Sequence, residues 1–99
     1  MRTMLKAQFP VGPGNAAIVS GVLPKTIQAT MDTLKPEAAY FFAVDGLRTA
    51  IFVFDLKATS DIPSIAEPLF QQLQASVQFI PVMNADDLQA GLKKMQAGA

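Results

Sequence analysis

The chain has 99 residues, 51% of them hydrophobic and only 16% charged, and its eight basic and eight acidic side chains cancel to zero formal charge. That length suits a single domain, residues 1–99, and so apolar a composition on so small a body favours self-association. Balanced charge with no basic face argues against nucleic acid as a partner, and the absence of cysteine and histidine removes disulfides, thiolate and imidazole chemistry and the two commonest zinc ligands, so neither a metal nor a cofactor is implied.

Residues 3 to 9 alternate, with Leu5, Ala7 and Phe9 on one face and Met4, Lys6 and Gln8 on the other, which predicts a first strand. Met1-Arg2-Thr3-Met4 leads into this strand rather than into a signal-peptide core, and no apolar run approaches a membrane span, so the expectation is a cytoplasmic protein with no membrane partner. Pro10 and Gly12-Pro13-Gly14-Asn15 read as a flexible connection. From Asn15 to Leu34 the pattern is helical with a break at Gly21 and a restart near Pro24; Ile27, Met31 and Leu34 share one face, and Pro36 ends the helix.

Two apolar runs then meet at Asp45-Gly46, a strong hairpin signal because a type I′ turn needs positive φ at both central residues. A two-residue turn pairs Val44 with Leu47, Phe42 with Thr49, Tyr40 with Ile51 and Ala38 with Val53. Both faces of this hairpin are apolar, so both need cover. After the polar joint 58–61, with two candidate caps, Ile62, Ile65, Ala66, Leu69, Phe70 and Leu73 recur at helical spacing, with Pro63 in the first turn and Pro68 expected to kink or divide the helix. Residues 76 to 83 read as a last strand that Pro81 places at a sheet edge. Asn84 can cap a short C-terminal helix striped by Leu88, Leu92 and Met95, and Gly98-Ala99 should fray.

The order strand, helix, strand, strand, helix, strand predicts an α+β, ferredoxin-like βαββαβ domain with a four-stranded antiparallel sheet in the order 4-1-3-2. Helices cover one face, assigned Leu5, Ala7, Phe9, Ala39, Phe41, Ala43, Ala50, Phe52 and Phe54. The other carries Lys6, Gln8, Tyr40, Phe42, Thr49, Ile51, Val53 and Asp55, a mixture that suits a dimer interface or a lined cavity.

This element order from about Thr3 to Met83, with its doubly apolar hairpin, resembles the dimeric α+β barrel family, in which two ferredoxin-like protomers pack sheet against sheet. The phrases at 23–28, 35–41 and 48–55 are also similar to small bacterial proteins of no assigned activity. The resemblance implies a homodimer. It also admits cofactor-independent monooxygenases, isomerases, haem-degrading enzymes and ligand-sensing modules, and the missing histidine and tryptophan speak against haem degradation.

Candidate ligand-binding residues are therefore Lys6, Gln8, Tyr40, Phe42, Thr49 and Asp55, with Ile51 and Val53 at the dimer interface; Lys6 and Tyr40 can donate to an anionic or carbonyl group. The expected role is a structural one or the binding of a small hydrophobic ligand, the alternative being a cofactor-independent enzyme of monooxygenase or isomerase type acting on a small hydrophobic or aromatic substrate. A weaker third reading is recruitment of another protein through the terminal helix. The glycines of Gly12-Pro13-Gly14-Asn15-Ala16-Ala17 match G-x-G-x-x-A, but the second strand enters a hairpin instead of completing a dinucleotide fold, so a connection is the better reading. Asp86-Asp87 fits the positive first turn of a helix better than a metal site.

Overall fold

The computed structural model describes residues 1–98. Its elements run β1 (Arg2–Phe9), α1 (Val11–Ser20), α2 (Val22–Leu34), β2 (Ala38–Val44), β3 (Leu47–Asp55), a 3₁₀ turn (Thr59–Asp61), α3 (Ile62–Leu73), β4 (Ser76–Pro81) and α4 (Ala85–Gly98). The strands form one antiparallel sheet in the order β2-β3-β1-β4, the expected ferredoxin-like arrangement. The hairpin register is the one the turn dictates, Val44 opposite Leu47 through Ala38 opposite Val53, and Asp45 and Gly46 both have positive φ, 57° and 72°.

The first crossover departs from expectation. The glycines at 12 and 14 are not a loop: α1 begins at Val11, directly after the extended Pro10. Pro13 falls in the first turn, where its missing N–H has no partner to lose, and the Gly14 N–H donates to Pro10 O at 2.8 Å. Gly21, in the left-handed conformation at φ 83°, ends α1, its N–H reaching Ile18 O. The chain restarts at once at Val22, two residues before Pro24. Lys35 then takes φ 45° and returns its N–H to Met31 O, closing α2 ahead of Pro36.

Pro68 does not divide α3, which runs unbroken through it. The carbonyl left without its partner is that of Ser64, an exposed residue, so water can satisfy it. Neither of the joint's candidate caps forms a side-chain hydrogen bond, and the 3₁₀ turn starts the helix instead. Gln74, at φ 51°, ends it with N–H groups from Gln74 and Ala75 returned to Phe70 and Leu69. β4 is the predicted edge strand, shorter than expected, and stops at Pro81. At the start of α4, Asn84 Oδ1 accepts from the Asp87 N–H at 2.8 Å while Asp87 Oδ2 accepts from the Asn84 N–H at 3.1 Å, a reciprocal cap. Gly98 is the last helical residue, and Ala99 lies outside the described residues.

The core lies between the sheet and the helices. Leu5, Ala7, Phe9, Ala50, Phe52 and Phe54 are buried there against Ala17, Leu34, Leu69 and Leu73. On α2 the fully buried line is Thr26, Thr30 and Leu34, while Ile27 and Met31 pack at its margin. The Thr30 hydroxyl donates to Thr26 O at 2.9 Å, so these short polar side chains bury without an unmet group.

Apart from the open sheet face, two surfaces stay uncovered. By register Ala39, Phe41 and Ala43 belong to the helix side, yet Phe41 is 57% exposed while Phe52, one strand inward, is fully buried. The core layer reaches β2 at Ala39, which packs against it, but leaves Phe41 and Ala43 exposed, and Phe41 meets the Phe52 ring edge-on with centroids 5.8 Å apart. No residue of α4 is buried, and Leu88, Leu92 and Met95 stand exposed in a stripe. With this helix standing off the sheet the chain measures 55 × 28 × 18 Å, and its radius of gyration of 15.9 Å exceeds the roughly 13 Å usual for a compact chain of this length.

Candidate functional site

The sheet face away from the helices is read across its strands in rows. One row runs Phe42, Thr49, Gln8, Ser76; the next Tyr40, Ile51, Lys6, Gln78; the next Ala38, Val53, Met4, Ile80. Strands about 4.8 Å apart place Tyr40 and Lys6 about 10 Å apart along their row, with Ile51 as the floor between them. Tyr40 is 61% exposed and Phe42 43%, large apolar surfaces that nothing among the described residues covers. Met4, Lys6, Gln8, Ile51 and Val53 are half-buried by their neighbours.

Five of the six predicted ligand residues thus occupy two adjacent rows. Thr49 lies deepest, 2% exposed, its hydroxyl donating to Leu47 O at 3.1 Å and accepting from Gln8 Nε2 at 3.4 Å. Those bonds hold the Gln8 amide over the row. Asp55 stands apart, opposite Arg2 at the end of the sheet, two rows beyond Lys6. Its carboxylate accepts from the Met1 ammonium at 2.6 Å and lies 3.8 Å from Lys57 Nζ. The hydrogen bond and charge of that ammonium hold the Asp55 carboxyl below its usual range.

The face is a surface rather than a pocket. Three concavities lie elsewhere. A groove of about 560 Å³ sits among Thr33, Lys35, Phe54, Asp55, Lys57 and Ser64, and another of about 520 Å³ among Met1, Arg2, Pro81, Met83 and Asp87. A cleft of about 60 Å³ separates Thr26, Thr30 and Thr33 on α2 from Ser64 and Pro68 on α3. Asp55 lines the first of these, at its end of the sheet. A cleft over Tyr40 and Lys6 requires a second wall.

One connecting residue is invisible to sequence reasoning. Arg2 Nε donates to Glu37 Oε1 at 2.6 Å and its Nη1 to Asp87 Oδ2 at 2.7 Å, joining the entry to β2 and the start of α4 to β1. These partners, Glu37 foremost, hold its guanidinium still more firmly protonated. The partners lie 35 and 85 residues away, beyond any local signal.

Among the described residues no group of acidic side chains is placed to hold a metal ion, and no helix is long and apolar enough to cross a membrane. The chain matches no family model, no curated protein and no solved structure.

Proposed function

We propose that the protein is a small cytoplasmic homodimer of the dimeric α+β barrel kind, joined through the open sheet faces, which binds a small flat hydrophobic ligand between them. The observation that carries this reading is the pairing of Tyr40 and Phe42, both widely exposed, with the half-buried Ile51 and Val53 on one contiguous face. Apolar surface of that kind marks an interface or a binding groove. A second sheet supplies the missing wall. Ile51 then floors a slot flanked by the Tyr40 hydroxyl and the Lys6 ammonium, which together suit a carboxylate, enolate or carbonyl at the edge of an aromatic or aliphatic body.

Native mass spectrometry of the purified protein tests both halves of the proposal. The expected result is a dimer that retains a small apolar molecule, with the molecule lost in Lys6→Met and Tyr40→Phe while the dimer persists. A monomer overturns the proposal; a dimer that takes up no aromatic or aliphatic acid when titrated overturns the ligand slot. Chemical conversion of the retained molecule, abolished in the same two variants, would make the slot a cofactor-independent active site.

A further inference from the structure

The open face does not account for two other bare surfaces: the helix-side flank of β2 beyond Ala39, where Ala43 is exposed and Phe41 is 57% exposed, and the stripe Leu88, Leu92, Met95 on α4. One is a sheet flank that lacks a helix, and the other is a helix that lacks a sheet. Their dimensions agree. The 14 residues of α4 make a rod about 21 Å long and about 10 Å wide. The seven residues of β2 extend about 23 Å, and such a rod covers about two strands.

The two surfaces do not meet within one chain. The reciprocal Asn84–Asp87 cap and the Arg2–Asp87 ion pair fix the start of α4 beside the first residue of β1, from where the helix stands away from the sheet. We propose that α4 is an exchanged arm, laying Leu88, Leu92 and Met95 along the β2 flank of a second copy, against Phe41 of the partner subunit. This rests on the homodimer reading above and extends it.

The area of the interface supports the same occupant. Laid flat, a face four strands wide and seven residues long has a footprint of roughly 450 Å² per protomer, at the small end for a stable interface, which usually takes roughly 800 Å² of accessible surface from each side. Giving one arm and receiving another enlarges that footprint by up to roughly 400 Å² of helix and flank per protomer. The arm also shields the unpaired edge of β2, a seven-residue apolar strand that would otherwise invite open-ended pairing.

The chain has no cysteine, so engineered disulfides report without background. Phe41→Cys protein is mixed with Leu92→Cys protein, allowed to exchange subunits and oxidised, and Lys94→Cys, which leaves the stripe, replaces Leu92→Cys as the comparison. Ala43→Cys serves in place of Phe41→Cys if that variant folds poorly. The expected result is a covalent dimer formed at least about tenfold faster with Leu92→Cys than with Lys94→Cys, since bridging needs Cα atoms within about 7 Å. An intrachain bridge in the Phe41→Cys/Leu92→Cys double variant would show the arm folding onto its own sheet and overturn the exchange. Equal rates for the two positions, in a protein that sedimentation shows to be dimeric, would overturn the exchange and leave the dimer standing. A monomer by sedimentation would overturn both.

Discussion

Asp55 and Gly14 show how single residues set this protein's margins. The ammonium beside Asp55 lowers its folded pKa, so its contribution to stability is complete above the ordinary aspartate range and is lost as pH falls through the lowered value. Asp55→Asn should therefore have a lower urea midpoint than wild type near neutrality, and the two midpoints should converge in strong acid. Gly14 is buried in α1, and a Cβ built there would lie 2.8 Å from Nη1 of Arg48, whose Nη2 donates to Asn15 Oδ1 at 2.9 Å. Gly12, two positions earlier, faces open space. Gly12→Ala should raise stability by up to about 1 kcal/mol through helix propensity. In Gly14→Ala that gain should be offset by the displaced guanidinium, and thermal melts of the two variants check the contrast. The residue types announced neither role: glycine, proline and glycine in succession read as a loop, and only the approach of Arg48 from another strand explains why the second glycine sits inside a helix.

Among the elements, the β-hairpin was fully legible because its turn chemistry and its alternation fix one register between them. The helices were legible in their apolar spacing and much less so in their limits. Gln74 and Lys35 end two of them with positive φ although neither is glycine. Gln74→Gly should accordingly stabilise the protein by roughly 0.5–1 kcal/mol, measured as a rise in urea midpoint at unchanged slope. The cap of α4 was read correctly at Asn84, but Asp87 as its reciprocal partner and as the anchor for Arg2 was not. Asn84→Ala should cost the helix about 1 kcal/mol, seen as lost far-UV helicity. The uncovered flank of β2 was missed for a different reason. Alternation assigns Phe41 to a face, but how far a helix layer extends across that face depends on crossover geometry, which no local pattern encodes.

The whole molecule has two extended apolar surfaces and an outlying helix, so its properties should depend on concentration. Ile51→Glu or Val53→Glu places a carboxylate in the middle of the open face, where burial against a second sheet would be costly. Under the proposed dimer, either variant should sediment as a monomer or aggregate, and a variant that keeps the wild-type association state would refute the open face as the interface. Ligand chemistry was the least legible property at any scale. The residues of the proposed slot come from three strands, and among the described residues nothing in the single chain supplies the wall that would close it.

The sheet order also sets a timetable. β1 is the first strand to be made, yet it lies between β3 and β4, and its second neighbour is complete only at Pro81. At about 5–20 residues per second, the roughly seventy residues from Phe9 to Pro81 take about four to fourteen seconds to synthesise. For that interval Leu5, Ala7 and Phe9 wait without their final surroundings. The hairpin can close within microseconds of leaving the ribosome, so the last strand rather than the first releases the sheet into its finished form.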